Sequence, residues 1–481
     1  MTPSVKLGLL PSYRFRWSDW TERMRQDCLR TLSALPAVEV VVPPVGEQGS
    51  APDPLSGRTA FGAVHTLDEA EAVAEFLARE KVDALVVCPV DFGDERSASK
   101  VAERLRVPLL LLATKEPAAP KDAALSRVSD SYCGTLSIAA GFHRRKLPFH
   151  FAGVHFPDEP GFRSQAELFA RAVAVGKGLQ GARLGQVGVR PSSFETVAYD
   201  EIAMARKFGQ NVLHTDLLEV VEQARQMEDD DTRVMERVAR IRGSVATVTV
   251  SDQHLLRAAK LEEALLDFVK SNRLSALCMQ CWSAIQRSFG ISVCALFGRI
   301  TERGIMVACE ADMMGALSML ASYGAALGQT VPHFVDWTVQ HREDPNQLLA
   351  WHCGNAPSCL ARKSTETALR SRRDMIGANP PSDDDVQAGL YQFQLKPGPV
   401  TFCRLAEYDG EWRMLIAGGE VEPSKETLAG TWSWVRVPDH ARLYRTLVEE
   451  GFIHHASMIH GDQTEALKIA CKLLDIKAVN A

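Results

Sequence analysis

The residues of this chain best suited to chemistry are a few hard donors at the ends of apolar runs. In VACEADMMGALSMLASYGAA (307–326) a short apolar run stops at Glu310 and Asp312, and a helical pattern of Ala, Leu, Met and Gly follows. A carboxylate where a buried strand turns into a helix stands where α/β proteins hold their ligands. Either carboxylate could instead cap the following helix, a commoner use of acidic residues at such a position. Asp336 in PHFVDWT, His352 in WHCG and the pair His454–His455 in FIHHASMIH are the other residues able to complete an oxygen-rich site. Glu310, Asp336, His352 and His455 offer carboxylates and imidazoles without a thiolate, a set that suits Mn²⁺ or Mg²⁺ better than a structural zinc. An ion held by two carboxylates and one imidazole, with open positions, would chelate neighbouring hydroxyl and carbonyl oxygens and lower the pKa of the hydroxyl. The carboxylates would move a proton between adjacent carbons through an enediol, each serving as base and then as acid. His352, lying in an apolar run, equally fits a hydrogen-bonded core histidine.

The elements that must position these groups fall into three stretches. Over residues 1–170, VKLGLL (5–10), VEVVVPP (38–44), VDALVVCPV (82–90) and VPLLLLAT (107–114) read as strands. Helical patterns over 20–34, 67–80 and 98–105 separate them, which predicts a parallel sheet with helices on both faces. KEPAAPKDAA (115–124) reads as a loop, and 130–151 as a loop, a helix and a connection towards a strand. Residues 171–330 repeat the rhythm, with strands in GQVGVRP (185–191), NVLHTDL (211–217), LSALCMQCW (274–282) and 304–310. One long polar helical stretch, 217–241, carries the acidic run Glu228 to Asp231 on its solvated side. Gln280 and Glu310 both close apolar strands of this sheet, so their side chains are expected at one edge.

After residue 330, strand-like runs succeed one another at 332–339, 347–354, 398–410, 411–421 and 430–437, with a hairpin turn at YDGEW. Helices return at 439–450 and 463–474, and NPPSDDD (379–385) reads as a flexible loop. The expected fold class is therefore α/β. Two doubly wound parallel-sheet domains, 1–170 and 171–330, precede a mainly antiparallel, barrel-like β-rich domain, 331–481. The middle domain carries Glu310, and the last carries Asp336 and His455.

Composition bounds the partners. A hydrophobic content of 46% with 24% charged residues is ordinary for a globular chain with a sizeable core, and a net charge of -6 argues against nucleic-acid binding. No apolar run approaches the roughly 20 residues of a membrane span, and the N-terminus lacks the pattern of a signal peptide. The eleven cysteines are scattered, mostly in apolar runs, which points to free thiols in a reducing cytoplasm. Cys278 and Cys281 form a CxxC with no second pair at a zinc-binding distance, and they read as core. Arg14 and Arg16 follow the first strand, where an arginine can hold an oxygen-rich ligand or simply stay solvated. His143 to Lys146 form a short basic run at a helix end, which reads as a solvated face.

The segments CEADMMGALSML, HFVDW, AWHCG and GFIHHASMIH, in this order, resemble the L-fucose isomerase and L-arabinose isomerase superfamily. RPSSFETVAYDEIAMARKFG (190–209) is similar to the middle-domain segment of the fucose branch. The resemblance implies a three-domain subunit and a Mn²⁺-dependent aldose–ketose isomerase working through an enediol, with Mg²⁺ or Co²⁺ as alternative ions. It makes Glu310 the metal-binding acid/base and Asp336 the second metal carboxylate, which is a Glu in the arabinose branch. It makes His455 the metal-binding imidazole, followed five residues on by His460, and places His454 beside the substrate. His352 resembles an extra histidine ligand of the arabinose branch, and Gln280 a substrate contact. Members of the superfamily assemble as trimers or hexamers with a neighbouring subunit closing the pocket, a role for which Trp17, Trp20 and the N-terminal arginines are candidates.

The expectation is a cytoplasmic homo-oligomeric isomerase of a small sugar, binding neither nucleic acid nor membrane. A narrower form acts on a sulfonated sugar, sulfoquinovose to sulfofructose, with Arg14, Arg16 or Arg190 on the sulfonate. The alternative of another class is a sugar-binding regulatory protein without turnover.

Overall fold

A computed structural model describes residues 3–118, 127–375 and 386–481. The loop expected at 115–124 runs partly outside the described residues, and NPPSDDD (379–385) lies wholly outside them. The chain divides into two compact units, Pro3–Lys177 with Lys472–Leu474, and Gly178–Cys471 with Asp475–Ala481.

The smaller unit is built on five parallel strands: β1 (Val5–Ser12), β2 (Val38–Val41), β3 (Ala84–Pro89), β4 (Leu109–Thr114) and β5 (Phe149–His155). Their order is β2-β1-β3-β4-β5, a doubly wound arrangement. Strands β3 and β4 are buried along their whole length, which is why they read as unbroken apolar runs rather than as an alternation. Leu10, Leu85, Val87, Leu109 and Leu111 pack with Val73, Leu77, Val101, Ile138 and Phe142 from the covering helices. Each fully buried Leu or Val in such a core contributes roughly 1.5–3 kcal/mol. Thr66 starts the helix Leu67–Arg79 by exchanging hydrogen bonds with Glu69, so the T-x-x-E spacing fixes where that helix begins.

The larger unit opens with β6 (Arg183–Val187), β7 (Asn211–Thr215), the two-residue β8 (Thr247–Val248), β9 (Ala276–Met279) and β10 (Met306–Cys309). Four of these form a parallel sheet in the order β10-β9-β6-β7. The polar stretch expected as one helix over 217–241 is two, Leu217–Gln226 and Thr232–Gly243. Asp231 causes the break: its side chain accepts from the Arg233 amide and starts a new helix.

The remaining strands are β11 (His333–Gln340), β12 (Gln347–His352), β13 (Ala368–Ser371), β14 (Ala388–Gln394), β15 (Gly398–Tyr408), β16 (Glu411–Glu422), β17 (Thr431–Arg436), β18 (His455–His460) and β19 (Lys477–Asn480). With β8 they make one ten-stranded sheet in the order β19-β16-β15-β18-β11-β12-β17-β14-β13-β8. Most of its pairings are antiparallel, as expected. The sheet curls, because β16 also pairs with β17, yet β14, β13 and β8 on one side and β19 on the other continue it. It is a mixed sheet and not a closed barrel. The hairpin at YDGEW is real, since Tyr408 pairs with Glu411 across Asp409 and Gly410, both at positive φ.

The helix Met313–Ala325 is buried on every side. Ser318 accepts from the Leu405 amide of β15 at 2.8 Å, and Ser457 of β18 donates to Ser322 at 2.9 Å. These two bonds hold the middle and the later half of that helix against the mixed sheet.

Candidate active site

β10 delivers Glu310 and Ala311 in the left-handed region, at φ 62° and 57°. Neither residue is glycine, and two consecutive residues in that conformation store on the order of 1–3 kcal/mol each, the kind of strain that clusters at functional sites. The turn points Glu310 out of the strand and lets Asp312 cap the Met313 helix, its side chain accepting from the Gly315 amide at 2.8 Å. Of the two carboxylates at this strand end, Asp312 is therefore the cap.

Asp312 does more than cap. It is fully buried and takes both arms of the Arg404 guanidinium, at 2.5 and 3.1 Å. Its Oδ2 also accepts from His455 Nδ1 at 2.8 Å. Burial pushes the Asp312 carboxyl up, but the charge of Arg404 and the bond from His455 outweigh that and hold it well below the usual carboxylate range. An ionised Asp312 fixes His455 with its hydrogen on Nδ1 and Nε2 turned the other way.

On that other side stand the remaining acids. His455 Nε2 lies 3.0 Å from Glu310 Oε2 and 3.6 Å from Asp336 Oδ1. Asp336 and His455 are register partners across β11 and β18, so the sheet sets them side by side on one face. Trp282, following β9, donates from its indole to Glu310 Oε1 at 3.0 Å. Burial raises the Glu310 pKa, but the contact with His455, its charge and the Trp282 bond bring it below the ordinary value. For His455 itself burial is opposed by Asp312 and Glu310, which hold it up at about 9.

Donor atoms of Glu310, His352 and His455 lie within 4.8 Å of one another, as do those of Asp336, His454 and His455. Glu310 Oε2, Asp336 Oδ1 and His455 Nε2 are buried and turn towards one another with no further partner among the described residues, and His352 Nε2 is buried without a hydrogen bond. Three carboxyl groups gather here against two positive groups, the Arg404 guanidinium on Asp312 and the His455 imidazole, so the cluster keeps an excess of negative charge. Buried carboxylate oxygens and an imidazole nitrogen converging in an acidic cluster fit a divalent cation, which Glu310, Asp336 and His455 would hold with the His455 Nε2 proton released.

The other expected site residues lie as follows. His454 is exposed, its ring centroid 4.0 Å from that of His455. Gln280 follows β9 on the edge it shares with Glu310, but its amide oxygen accepts from the Val189 backbone at 3.4 Å and steadies that loop. His460 is bound to the Lys396 carbonyl at 2.9 Å. Arg14 and Arg16 belong to the smaller unit, where Arg14 pairs with Glu95 and Arg16 is exposed. Trp17 of that unit stacks on Phe61 with ring centroids 4.9 Å apart, and Trp20 packs edge-on against Phe156.

Three contributors escaped the sequence reading: Arg404, Trp282 and Phe194. Phe194 packs edge-on against Trp282 and His454, with ring centroids 5.6 and 5.5 Å apart. Arg404 had a signal in sequence, a charge inside the apolar stretch VTFCRLA, because an arginine is rarely buried without a partner.

Residues 25–180 match the family described as fucose/sulfoquinovose isomerase, N-terminal domain, and residues 350–480 match L-fucose isomerase, C-terminal domain. Relatives named sulfoquinovose isomerase align along most of the chain. The protein of Alkalicoccus urumqiensis is 25% identical over 400 residues, covering 82% of this chain and 86% of its own. That of Priestia aryabhattai is 24% identical over 417 residues, covering 86% and 89%. That of Clostridium sp. (strain MSTE9) is 26% identical over 405 residues, covering 82% and 85%. Fold and site define an α/β enzyme of the aldose–ketose isomerase class. Within it, the chain belongs to the L-fucose isomerase-like family. Among the described residues no helix is long and apolar enough to cross a membrane.

Proposed function

We propose that this protein is a divalent-metal-dependent isomerase that converts a sulfonated aldose, sulfoquinovose, to its ketose, sulfofructose. The observation that carries the reading is the convergence of Glu310, Asp336 and His455, whose inward atoms are buried and meet one another alone among the described residues. When bound there, Mn²⁺ would supply Lewis acidity towards adjacent carbonyl and hydroxyl oxygens. Proton movement is the work of the carboxylates. One takes the proton from C2, an enediol forms, and a proton returned to C1 completes the ketose while the O2 hydrogen is lost and O1 gains one. Glu310, held below its ordinary pKa, is ready to accept at neutral pH. Phe194 and Trp282 offer aromatic faces beside the site against which the C–H face of a sugar can lie.

The relatives' common name favours the sulfonated substrate, and one side chain offers to hold it. Arg190 stands on the loop after β6, donating to the Phe194 carbonyl at 3.2 Å, and Phe194 packs against His454. A guanidinium there suits a sulfonate, which accepts paired hydrogen bonds as a carboxylate does. Assembly as a homo-oligomer, a trimer or hexamer with the site near a subunit boundary, belongs to the same reading. The test is a panel of sulfoquinovose, L-fucose, L-arabinose and glucose with the Mn²⁺-loaded protein. Ketose from sulfoquinovose at the highest kcat/KM supports the proposal, and preference for an uncharged sugar refutes its substrate.

A further inference from the structure

Two buried imidazoles face the acidic cluster, and their outer nitrogens are held in opposite ways. His455 Nδ1 meets a carboxylate oxygen of Asp312, which can only accept, so Nδ1 carries the hydrogen. Its Nε2 is then the nitrogen that can give a lone pair once a cation displaces the proton it holds towards Glu310. His352 Nδ1 instead lies 2.9 Å from the Cys353 backbone amide, which can only donate. That nitrogen must carry the lone pair, and the ring hydrogen sits on Nε2.

A nitrogen bearing hydrogen has no lone pair in the ring plane to give a cation. To become a ligand, His352 would have to move its hydrogen to Nδ1, turn it against the Cys353 N–H and lose that bond. His352 is 2% exposed, and its Nε2 has no partner among the described residues. Yet one ring nitrogen stands within 4.8 Å of donor atoms of Glu310 and His455. A polar hydrogen is thus kept buried and unspent at the edge of the reacting space.

We propose that His352 is a catalytic hydrogen-bond donor to the reacting oxygen of the sugar, and not a ligand of the cation. The proposal rests on reading this cluster as the isomerase site. As the C2 proton leaves for a carboxylate, negative charge grows on the oxygen of the former carbonyl. A neutral imidazole N–H, fixed by Cys353 and shielded from water, stabilises that charge without surrendering its proton.

Metal-free wild type, His352→Ala, His352→Gln and His455→Ala are titrated with Mn²⁺, free ion being read by electron paramagnetic resonance, and kcat and KM are measured at saturating Mn²⁺. Both His352 variants are expected to bind Mn²⁺ within a few-fold of wild type, whereas His455→Ala loses affinity. His352→Ala is expected to lose about 10²–10³ in kcat with little change in KM, the usual result of deleting one such donor. His352→Gln, whose amide N–H can still donate, recovers part of that loss. A fall in Mn²⁺ affinity of about 10–100-fold or more in both His352 variants would make His352 a metal-site residue and overturn the proposal. Unchanged kcat in both would overturn it as well. Failure of the wild type to bind Mn²⁺ is a separate result, which sinks the metal-dependent reading and this proposal with it.

Discussion

Asp312 owes its charge to Arg404, and His455 owes its orientation to Asp312. Removing one partner of a fully buried ion pair leaves an uncompensated charge, which costs about 3–5 kcal/mol. Arg404→Met should therefore lower the unfolding free energy by that order in urea titrations and weaken Mn²⁺ binding, although Arg404 touches no inward-facing ligand atom. Glu310→Gln should nearly abolish turnover in a coupled ketose assay while its melting temperature stays close to wild type, because it removes the base and keeps the shape. Arg190→Met should cut kcat/KM for sulfoquinovose while sparing uncharged aldoses.

A pH effect follows from His333, buried between Asn355 and Thr431 at 3.1 Å from each and pushed down to about 3, burial being the main cause. Below the unfolded value near 6.5 the unfolded chain binds a proton there that the folded chain refuses. Stability is thus present above pH 6.5 and is lost as pH falls towards 3, by up to about 1.4 kcal/mol per pH unit. His333→Gln should flatten that limb in urea titrations across this range. At this scale the sequence showed the donors but not their anchors. Glu310, Asp336 and His455 stood out by residue type and position, whereas the Arg404–Asp312 bond joins the start of the Met313 helix to β15, two elements whose contact no local pattern reveals.

The register of β11 against β18 turns separate residues into one site. Because side chains alternate faces with a period of two, a slip of one residue would put Asp336 and His455 on opposite faces of the sheet. The Met313 helix holds β15 and β18 in place through its bonds to Leu405 and Ser457. Close approach matters elsewhere too. A Cβ at Gly134 would fall 1.6 Å from the Phe92 carbonyl oxygen, so Gly134→Ala must displace the helix Ser131–Arg144. It should cost about 1–3 kcal/mol or more, read as a lower melting temperature.

Strands β3, β4 and β9 were legible because burial on both faces leaves runs with no polar interruption. β13 and β14 were not: β13 has only four residues, and neither follows a hairpin signal. The order of the ten strands was illegible for a different reason: pairing across long loops depends on packing and not on local pattern. The same limit hid the break at Asp231, where a cap outweighed a continuous polar helical pattern.

Across the whole molecule, an excess of acid over base gathers locally into a pocket that calls for a cation. A ligand that binds only the folded state stabilises it by about 2.7 kcal/mol at 100 times its Kd. Mn²⁺ should accordingly raise the melting temperature and activity together, and chelation should reverse both. The reaction itself is the sharpest check. Sulfoquinovose is incubated with Mn²⁺-loaded protein in D2O and followed by proton NMR. The proton-transfer reading predicts sulfofructose carrying solvent deuterium at C1. Ketose formed with no deuterium would contradict transfer by Glu310 and Asp336, and an unchanged sugar would contradict the enzyme itself.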